Sequence, residues 1–500
     1  MSEDTTPVLI GAGQLVQRDV DPQAALAPVA MMAEVARRAA ADAGSGAHLL
    51  TQVDLLAVVN VIGWQYRNAP RLLAELLDAH PAENFYTTIG GNTPQWLVNE
   101  TAARIAAGEV RLALIAGAEA VHTVLRARQT GFTPRWAAGE GQATVVGDPR
   151  LGTSEHEANH GVVLPAQIYP LFENALRTAR GWSIPEHRRR LGALCAQLST
   201  AAADNPYAWF RRARSAEEIT TVTPANRMIA FPYTKYMNAI MDVDQAAAVL
   251  LTSAAHARAL GIDPARWVYV RGTGDAHDLW FVSERATYHD SPAIRAAGRQ
   301  ALAMAGLDIS EVDHLDLYSC FPSAVQIGRD ALGILDDDPR PLTVTGGLPY
   351  AGGPGNNYSM HAIASIMEKL RARPGTKGLV SALGWYLTKH SVGVYASEPG
   401  PRAWRRPEPA PTQAELDRLP HPVLASEPRG RGVIETYTVV HDRDGSPARG
   451  IVIGRLDDGR RFLADTPDDR EVLEELEARE GVGRAGTVTL SGGTTRFEPE

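Results

Sequence analysis

The chain has 500 residues, of which 44% are hydrophobic and 21% charged, and its formal net charge is −9. This composition predicts a large globular protein of several domains and lacks the basic excess that nucleic-acid binding uses. The two cysteines, Cys195 and Cys320, argue against a disulfide framework and fit a reducing compartment. No apolar run approaches the roughly 20 residues of a membrane span, and the first residues do not resemble a signal peptide. We therefore expect a cytoplasmic protein.

One pair of elements occurs twice along the chain. Residues 35–44 have helical apolar spacing and end in glycine, and residues 53–61 follow as a buried strand; residues 296–306 and 312–319 repeat this order. A helix that ends in glycine is common, so the inference depends on the repeated pair and not on either helix. The pattern predicts two similar halves with mostly parallel sheets covered by helices.

The remaining segments differ in texture. Residues 120–235 have more Arg, Trp, Pro and Tyr and fewer strand patterns, which favours a mainly helical insertion. Residues 399–412 are rich in proline and predict a semi-rigid linker. Residues 413–500 contain short β-branched stretches, an Asp-Asp-Gly hairpin signal at 457–459 and one short helix, which predicts a small, partly open β-barrel.

These patterns predict four consecutive parts. The first half, with the insertion, covers residues 1–255, and the second half covers 256–398. The linker, 399–412, then leads into the barrel, 413–500.

Four motifs, taken together in their order and spacing, resemble the thiolase superfamily. They are IGAGQ at 10–14, GGNTPQWLVNETAARIAAGE at 90–109 with LIAGAEA at 114–120, LYSCFPSAVQ at 317–326, and GGLPYAGGPGNNYS at 346–359 with VSALGWYLTKHSVGVYA at 380–396. The chain is most similar to sterol-carrier-protein type thiolases and to thiolase-like proteins with an extra C-terminal domain of the OB type. The resemblance covers about residues 7–398 and implies the thiolase fold, with layers in the order αβαβα.

The resemblance also shows what has changed. Thiolases use a cysteine thiolate at a helix start to take an acyl group from a coenzyme A thioester, with a histidine and a second cysteine as acid and base. The resemblance places these three groups on Gly91, on Gly353, and near Ser381 or Ala382. The His-Asp-Cys-Phe motif of the sterol-carrier type is Tyr-Ser-Cys-Phe at 318–321. The usual nucleophile is therefore absent.

Three residues are candidates for remaining catalysis. Cys320 follows a predicted strand and precedes a helix start, where the resemblance implies an acid/base thiol; a buried, inert cysteine is the alternative. His390 lies in the stretch that corresponds to the last active-site loop of the family. His361 lies in the helix after Gly-Gly-Pro-Gly-Asn-Asn. A purely structural role stays open for both histidines.

Ligand-binding candidates lie at two helix starts and in the insertion. Backbone N–H groups at a helix start favour an anionic oxygen. Arginine suits phosphate, and the resemblance implies that the insertion contacts coenzyme A. The candidates are Gly91, Asn92, Gly353, Asn356, Arg188, Arg189 and Arg212. A helix cap or a solvated helix face is the alternative reading. We expect no metal, because the pair His156 and His160 has no third ligand nearby.

Three functions follow as hypotheses. The first is a thiolase-like protein that binds coenzyme A or acyl-CoA without ordinary thiolase turnover. The second is an active acyltransferase, similar to acetyl-CoA acetyltransferase, that acts on lipid- or steroid-derived acyl-CoA with Cys320 and His390. The third is a non-catalytic partner of another thiolase-like protein or an acyl carrier, bound through the C-terminal barrel. Acyl chain length, reaction direction and the choice between monomer and homodimer stay open.

Overall fold

The computed structural model describes residues 5–500. Its helices are α1 (Pro28–Asp42), α2 (Ala69–Leu77), α3 (Thr93–Ala106), α4 (Val121–Gln129), α5 (Glu155–Asn159), α6 (Pro165–Ala179), α7 (Ile184–Asp204), α8 (Ala216–Thr220), α9 (Ala254–Ala259), α10 (Pro292–Ala305), α11 (Pro322–Ala331), α12 (Tyr358–Ala372), α13 (Pro409–Leu416) and α14 (Arg470–Ala478). Its strands are β1 (Pro7–Val16), β2 (Leu55–Val58), β3 (Glu83–Thr87), β4 (Leu112–Ala120), β5 (Val145–Val146), β6 (Met228–Ala230), β7 (Tyr233–Thr234), β8 (Asp244–Ser253), β9 (Val268–His277), β10 (His314–Asp316), β11 (Lys377–Gly384), β12 (Lys389–Ala396), β13 (Gly430–His441), β14 (Pro447–Leu456), β15 (Arg461–Asp465), β16 (Ala485–Ser491) and β17 (Thr494–Pro499).

The main sheet combines the two halves. Its strand order is β10-β11-β12-β9-β1-β8-β4-β2-β3-β5. The strands β3, β2 and β4 are parallel, whereas β8 is antiparallel to both β4 and β1. A short ladder between β1 and β9, in which Val8 lies opposite Tyr269 and Leu9 opposite Val268, joins the N-terminal strands to the C-terminal strands.

Two helices lie between the halves. α3 and α12 pack against each other and against strands of both halves, while α1 and α2 cover the outer face of the first half and α10 that of the second. Val98, Met360 and Val380 are fully buried in this middle layer, where the hydrophobic effect holds the layers together. The predicted αβαβα arrangement is confirmed. The helix α10 also ends as predicted, at Gly306, whose φ of 68° is the left-handed conformation that glycine favours.

The segment 120–235 carries α4 to α8, as its sequence predicts, and three short strands that its sequence does not predict. One of them, β5, pairs in parallel with β3 at the end of the main sheet. Another, β6, pairs with β13 at Val440 and Ala230. The insertion therefore covers a sheet edge on one side and contacts the C-terminal barrel on the other.

The C-terminal barrel is closed, not partly open as its sequence predicts. Its strands follow each other in the order β13-β14-β15-β17-β16, and β16 pairs with β13 again. The sequence analysis missed β17, which follows a turn at Gly492 and Gly493 with φ values of 58° and 84°. Because β17 contacts both β15 and β16, it supplies the strand that completes the ring.

The barrel packs firmly on the rest of the protein. Arg461 is fully buried, donates hydrogen bonds to the carbonyl oxygens of Ser283 and Arg285, and pairs with Glu435. The Asn174 amide donates to the carbonyl oxygens of Phe231 and Tyr437. These contacts make one side of the barrel an internal surface.

The proline-rich segment before the barrel also lies against the body. The Trp404 indole donates to the carbonyl oxygen of Val270, and Arg406 pairs with Asp275 and Glu100. The Gln413 side chain, on α13, contacts His277. The helix α13 begins within the predicted linker, so this segment is partly helical and closes over the end of β9.

Candidate functional site

Gly91, which the resemblance compares with the thiolase nucleophile, lies in the turn before α3. A Cβ atom added to Gly91 would lie 2.1 Å from the Tyr318 hydroxyl oxygen and 2.5 Å from the Leu383 carbonyl oxygen. Both distances are far below a normal contact, so the hydroxyl of Tyr318 fills the space that a residue-91 side chain would need. The three segments that the sequence analysis compared with thiolase active-site loops therefore meet here, and the nucleophile position is blocked.

The starts of α3 and α12 are adjacent, and polar side chains join them. Asn356 accepts a hydrogen bond from the Gly90 N–H at 2.8 Å and donates to the Asn60 carbonyl oxygen at 2.9 Å. The Ser359 hydroxyl donates to the Gly91 carbonyl oxygen. Asn356 thus has a structural role between the two helix starts.

Gly353 has different neighbours. Its N–H donates to the Ile240 carbonyl oxygen at 2.7 Å, and an added Cβ would meet Leu348 and Ile240 before any other residue. Since this N–H already has an acceptor, Gly353 offers no free donor from its backbone nitrogen.

Cys320 is buried beside an aromatic stack. Beside Cys320, the rings of Tyr169 and Phe321 stack with their centroids 4.4 Å apart. The Tyr169 hydroxyl donates a hydrogen bond to the Trp385 carbonyl oxygen. Burial raises the pKa of the Cys320 thiol to about 12, although a hydrogen bond with Tyr169 acts in the opposite direction. The thiol is therefore protonated near neutral pH, which opposes a role as thiolate.

His390 is held by an internal polar cluster. Its Nε2 lies 3.0 Å from the Leu387 carbonyl oxygen and 3.3 Å from an Asp278 carboxylate oxygen. Arg285 also pairs with Asp278 at 3.3 Å. Burial tends to raise the pKa of Asp278, but the hydrogen bond from His390 and the charge of Arg285 outweigh it, so the pKa is lowered. This charged cluster fixes the hairpin between β11 and β12.

His361 is a buried neutral ring. Its Nδ1 lies 2.9 Å from the Gln14 side-chain oxygen. Burial lowers the pKa of His361 to about 3, so the ring is uncharged at neutral pH. A ring with so low a pKa is a weak base, and the Cys320 thiol with its raised pKa is a weak acid, so neither group is suited to exchange protons near neutral pH.

The arginine candidates lie on α7 and just after it, away from the two helix starts. Arg189 pairs with Glu186 at 2.8 Å, and Arg212 pairs with Glu218 at 3.1 Å. Arg188 is exposed and makes no ion pair within residues 5–500. Two of the three guanidinium groups are therefore already matched by carboxylates.

Two connected cavities lie along α7. The smaller, of about 200 Å³, is lined by Trp182 and four arginines, Arg189, Arg190, Arg329 and Arg340. The larger, of about 770 Å³, shares Gln197, Asp338 and Arg340 with it and extends to Thr343 and Ser365. Thr343 contacts Asp316, which accepts from Tyr358, and the Tyr358 ring packs edge-on against Tyr318. A series of side-chain contacts therefore runs from the wall of the larger cavity to Tyr318.

A further cavity, of about 360 Å³, lies beside the start of α3 and was not identified from the sequence. Its wall includes Asn92, Asp148, Asp275, Trp280 and Lys389. The Asn92 side chain does not cap α3, so the capping role considered for it does not hold. A signal was available in the sequence: Lys389 is the one Lys, Arg, Asp or Glu between residues 378 and 396, and it is next to the His390 that was chosen.

No group of three or more His, Cys, Asp and Glu side chains in residues 5–500 is arranged to hold a metal ion. The same residues contain no helix with the length and apolar character to cross a membrane.

The comparisons with known proteins agree with this geometry. A family model described as the thiolase-like protein type 1 additional C-terminal domain matches residues 411–493. The crystal structure of a monomeric SCP2-thiolase like protein type 1 from Mycobacterium smegmatis aligns over 99% of both chains, with 38% identity and a TM-score of 0.86. This chain belongs to the thiolase superfamily, among the SCP2-thiolase-like proteins.

More distant relatives show the breadth of this superfamily. An acetyl-CoA acetyltransferase from Methanothermobacter thermautotrophicus is 25% identical over 266 residues, which are 49% of this chain and 66% of that protein. The Ltp2-ChsH2(DUF35) aldolase shares the fold, with a TM-score of 0.60, 17% identity and coverage of 79% of this chain and 99% of that chain. This SCP2-thiolase-like chain keeps the fold, and Tyr318 occupies the space beside Gly91.

Proposed function

We propose that this protein binds coenzyme A or an acyl-CoA and does not form an acyl-enzyme. The contact between Gly91 and Tyr318 is the observation that argues against an acyl-enzyme. An acyl-enzyme needs a nucleophilic side chain at the start of α3, and the tyrosine hydroxyl occupies that position. The proposal assigns the chain a ligand-binding role on a scaffold that other members of the superfamily use for acyl transfer.

The cavities along α7 support a binding site for the nucleotide part of coenzyme A. Arg190 stacks over the Trp182 ring at 4.4 Å, the arrangement in which a flat aromatic group and a guanidinium attract each other. Arginine groups bind phosphate by paired hydrogen bonds. The acids Glu186, Asp336 and Asp338 neutralise part of this charge, so we expect weak rather than tight binding.

An active acyltransferase that uses Cys320 and His390 has less support. The Cys320 thiol is protonated near neutrality because burial raises its pKa to about 12. His390 contacts Asp278 and the Leu387 carbonyl oxygen. We therefore rank this function second.

A role as a non-catalytic partner that docks through the barrel also has less support. Strand β13 contacts the insertion, since Thr436 donates to the Leu171 carbonyl oxygen. Arg177, which is fully buried, pairs with Glu480 at 2.8 Å. This side of the barrel is already covered by the same chain, so a partner would have to use another side.

Calorimetric titration with coenzyme A and acetyl-CoA tests the binding proposal. The triple variant Arg188→Gln, Arg189→Gln, Arg190→Gln changes adjacent arginines of α7, two of which line the smaller cavity, and should lose at least threefold in affinity. A control triple variant of exposed barrel arginines, Arg431→Gln, Arg460→Gln, Arg470→Gln, makes the same change in net charge away from α7 and should bind normally. Absence of heat at millimolar ligand would reject the proposal.

Intact-protein mass spectrometry after incubation with acetyl-CoA tests the proposal that no acyl-enzyme forms. We expect the unmodified mass. A stable acetyl adduct on a side chain next to Gly91 would show that the protein forms an acyl-enzyme by another route.

A further inference from the structure

Lysine is rare in this protein, and one lysine is buried. The chain has 49 lysines and arginines in total, and the lysines are Lys235, Lys369, Lys377 and Lys389. Lys235 and Lys369 are exposed and Lys377 is half-buried, whereas only 7% of the Lys389 surface is accessible. Most cationic side chains of this protein are arginines, but the buried cation at residue 389 is a lysine. Arginine and lysine differ here in a decisive respect, because only the amine can become neutral and nucleophilic.

Lys389 is positioned by the turn before α3. Its Nζ donates to the Ile89 carbonyl oxygen at 2.6 Å. A Cβ atom added to Gly90 would lie 2.7 Å from Nζ and 2.6 Å from the Asn92 side-chain oxygen. The amine and the Asn92 amide therefore point toward the same small space.

This space is part of the cavity of about 360 Å³, whose volume suits a small ligand. Asn92 is 7% exposed, and its side-chain oxygen has no hydrogen-bond partner among the described residues. The Thr88 hydroxyl, on the same wall, also lacks a partner within residues 5–500. Because buried polar atoms are normally paired, these two oxygens indicate a ligand or ordered water that would complete them.

Burial favours the neutral form of Lys389, and the charges around it act in both directions. Asp148, Asp275, His277 and His390 line the cavity, and Arg150 lies close enough to affect the titration. Burial lowers the pKa of Lys389 to about 8, partly opposed by Asp148. Roughly a tenth of the amine is then unprotonated at pH 7, compared with well below a thousandth for a lysine with a pKa of ~10.4.

We propose that Lys389 is a nucleophilic amine that forms a reversible imine with the carbonyl group of a small, uncharged aldehyde or ketone held in this cavity. The nitrogen lone pair attacks the carbonyl carbon, the carbon–oxygen bond breaks, and the oxygen leaves as water with the two amine protons. Asp148 pairs with Arg150 and Asp275 with Arg406, so these carboxylates are already balanced by cations, which favours an uncharged ligand. Asn92 and Thr88 offer polar contacts to the bound molecule.

The site is separate from the coenzyme A proposal. It lies beside the start of α3, whereas the arginine cavity lies on α7. Loss of imine formation therefore leaves coenzyme A binding unchanged, and the two proposals can fail independently.

Acetylacetone, an uncharged 1,3-diketone, is the probe for this site. Its condensation with an amine forms a carbon–nitrogen bond and releases one water, and the product, a conjugated enaminone, absorbs in the near ultraviolet. We expect one adduct on the full-length protein, with an intact mass increase equal to acetylacetone minus water. Peptide mapping should place it on Lys389, at a rate at least tenfold above that of any other lysine at pH 8.

Variants and a pH profile make the test decisive. Lys389→Arg keeps a cation in the cavity and should abolish the adduct, whereas Lys377→Arg should react like the wild type. The rate should rise with pH to a plateau, with its midpoint near pH 8. An equal distribution of adducts over the lysines, an unchanged rate in the Lys389→Arg variant, or a rate that still rises above pH 9.5 would each overturn the proposal. If Lys389→Arg does not fold, the mapping and the pH profile of the wild type decide alone.

Discussion

The hydroxyl oxygen of Tyr318 and the α-carbon of Gly91 are packed so closely that no side chain fits on residue 91 without displacing the tyrosine. An added Cβ would approach that oxygen to 2.1 Å. The two residues fit each other: Gly91 has no side chain, and the Tyr318 hydroxyl occupies the space that a side chain would need.

We therefore expect Gly91→Ala to destabilise the protein by about 2 kcal/mol, the cost of inserting a methyl group into a packed region. Urea unfolding measures this loss. The effect in a Tyr318→Phe background should be smaller by about 1 kcal/mol, because the shortest contact is removed while those with the Leu383 carbonyl oxygen and the ring carbon Cζ remain. Equal effects in the two backgrounds would contradict the pairing.

Gly328 provides the control for that substitution. It lies within α11, and a Cβ added there meets no atom within 4 Å. Gly328→Ala should leave stability unchanged or raise it by up to ~1 kcal/mol, since alanine favours a helix more than glycine does.

The buried Arg461 connects the barrel to the second half of the body. We expect Arg461→Met to lower the free energy of unfolding by about 3 kcal/mol, because the carbonyl oxygens of Ser283 and Arg285 lose their donor and Glu435 keeps only Arg455 as a partner. Chemical unfolding followed by tryptophan fluorescence measures the loss. The neighbouring Arg460, which is exposed and pairs only with Asp458, is the control, and Arg460→Met should behave like the wild type. Equal stability of the two variants would mean that Arg461 does not anchor the barrel.

His361 makes stability depend on pH. Its pKa is lowered from 6.5 to about 3 in the folded protein, so below pH 6.5 the unfolded chain binds a proton that the native chain does not. This contribution to stability falls by about 1.4 kcal/mol for each pH unit between roughly 6.5 and 3. His361→Asn, which can keep a donor toward Gln14, should show a weaker fall between pH 7 and pH 5.

The measurement is the urea midpoint of both proteins at several pH values in that range. His289→Gln, which changes an exposed histidine, should keep the pH dependence of the wild type. Parallel pH profiles for His361→Asn and the wild type would contradict the assignment.

We expect the protein to be a monomer, because strand β5 pairs with β3 at the edge of the main sheet. The resemblance to thiolases implies that two chains could pair through a strand at the sheet edge. In this chain, Val145 and Val146 pair with β3 at that edge. Light scattering after gel filtration should give the mass of a single 53.8 kDa chain. The double variant Val145→Pro, Val146→Pro should weaken this cover and raise the fraction of dimer at high concentration. A wild-type dimer would show that β5 does not block association.

The sequence analysis reached the fold because the fold depends on patterns that are local and repeated. The doubled helix–strand order and the four glycine-rich motifs led to the layered αβαβα arrangement. Closure of the barrel was missed because β17 is short and polar at its exposed positions, and its pairing with β15 depends on residues far apart in the chain. The pairing of β5 with β3 also joins residues far apart in the chain, so no local sequence pattern predicts it.

The candidate site divides in the same way. Comparison of motifs was enough to select Gly91 and to predict that the thiolase nucleophile is missing. It could not show that Tyr318 fills that position, that burial keeps Cys320 and His361 uncharged, or that Lys389 faces a cavity. Those properties depend on which distant side chains surround each group, because desolvation and contact distance are set by packing and not by the order of residues. The sequence by itself determined the superfamily and the glycine at residue 91; only the tertiary structure decided that Tyr318 fills the space beside it, because that depends on packing.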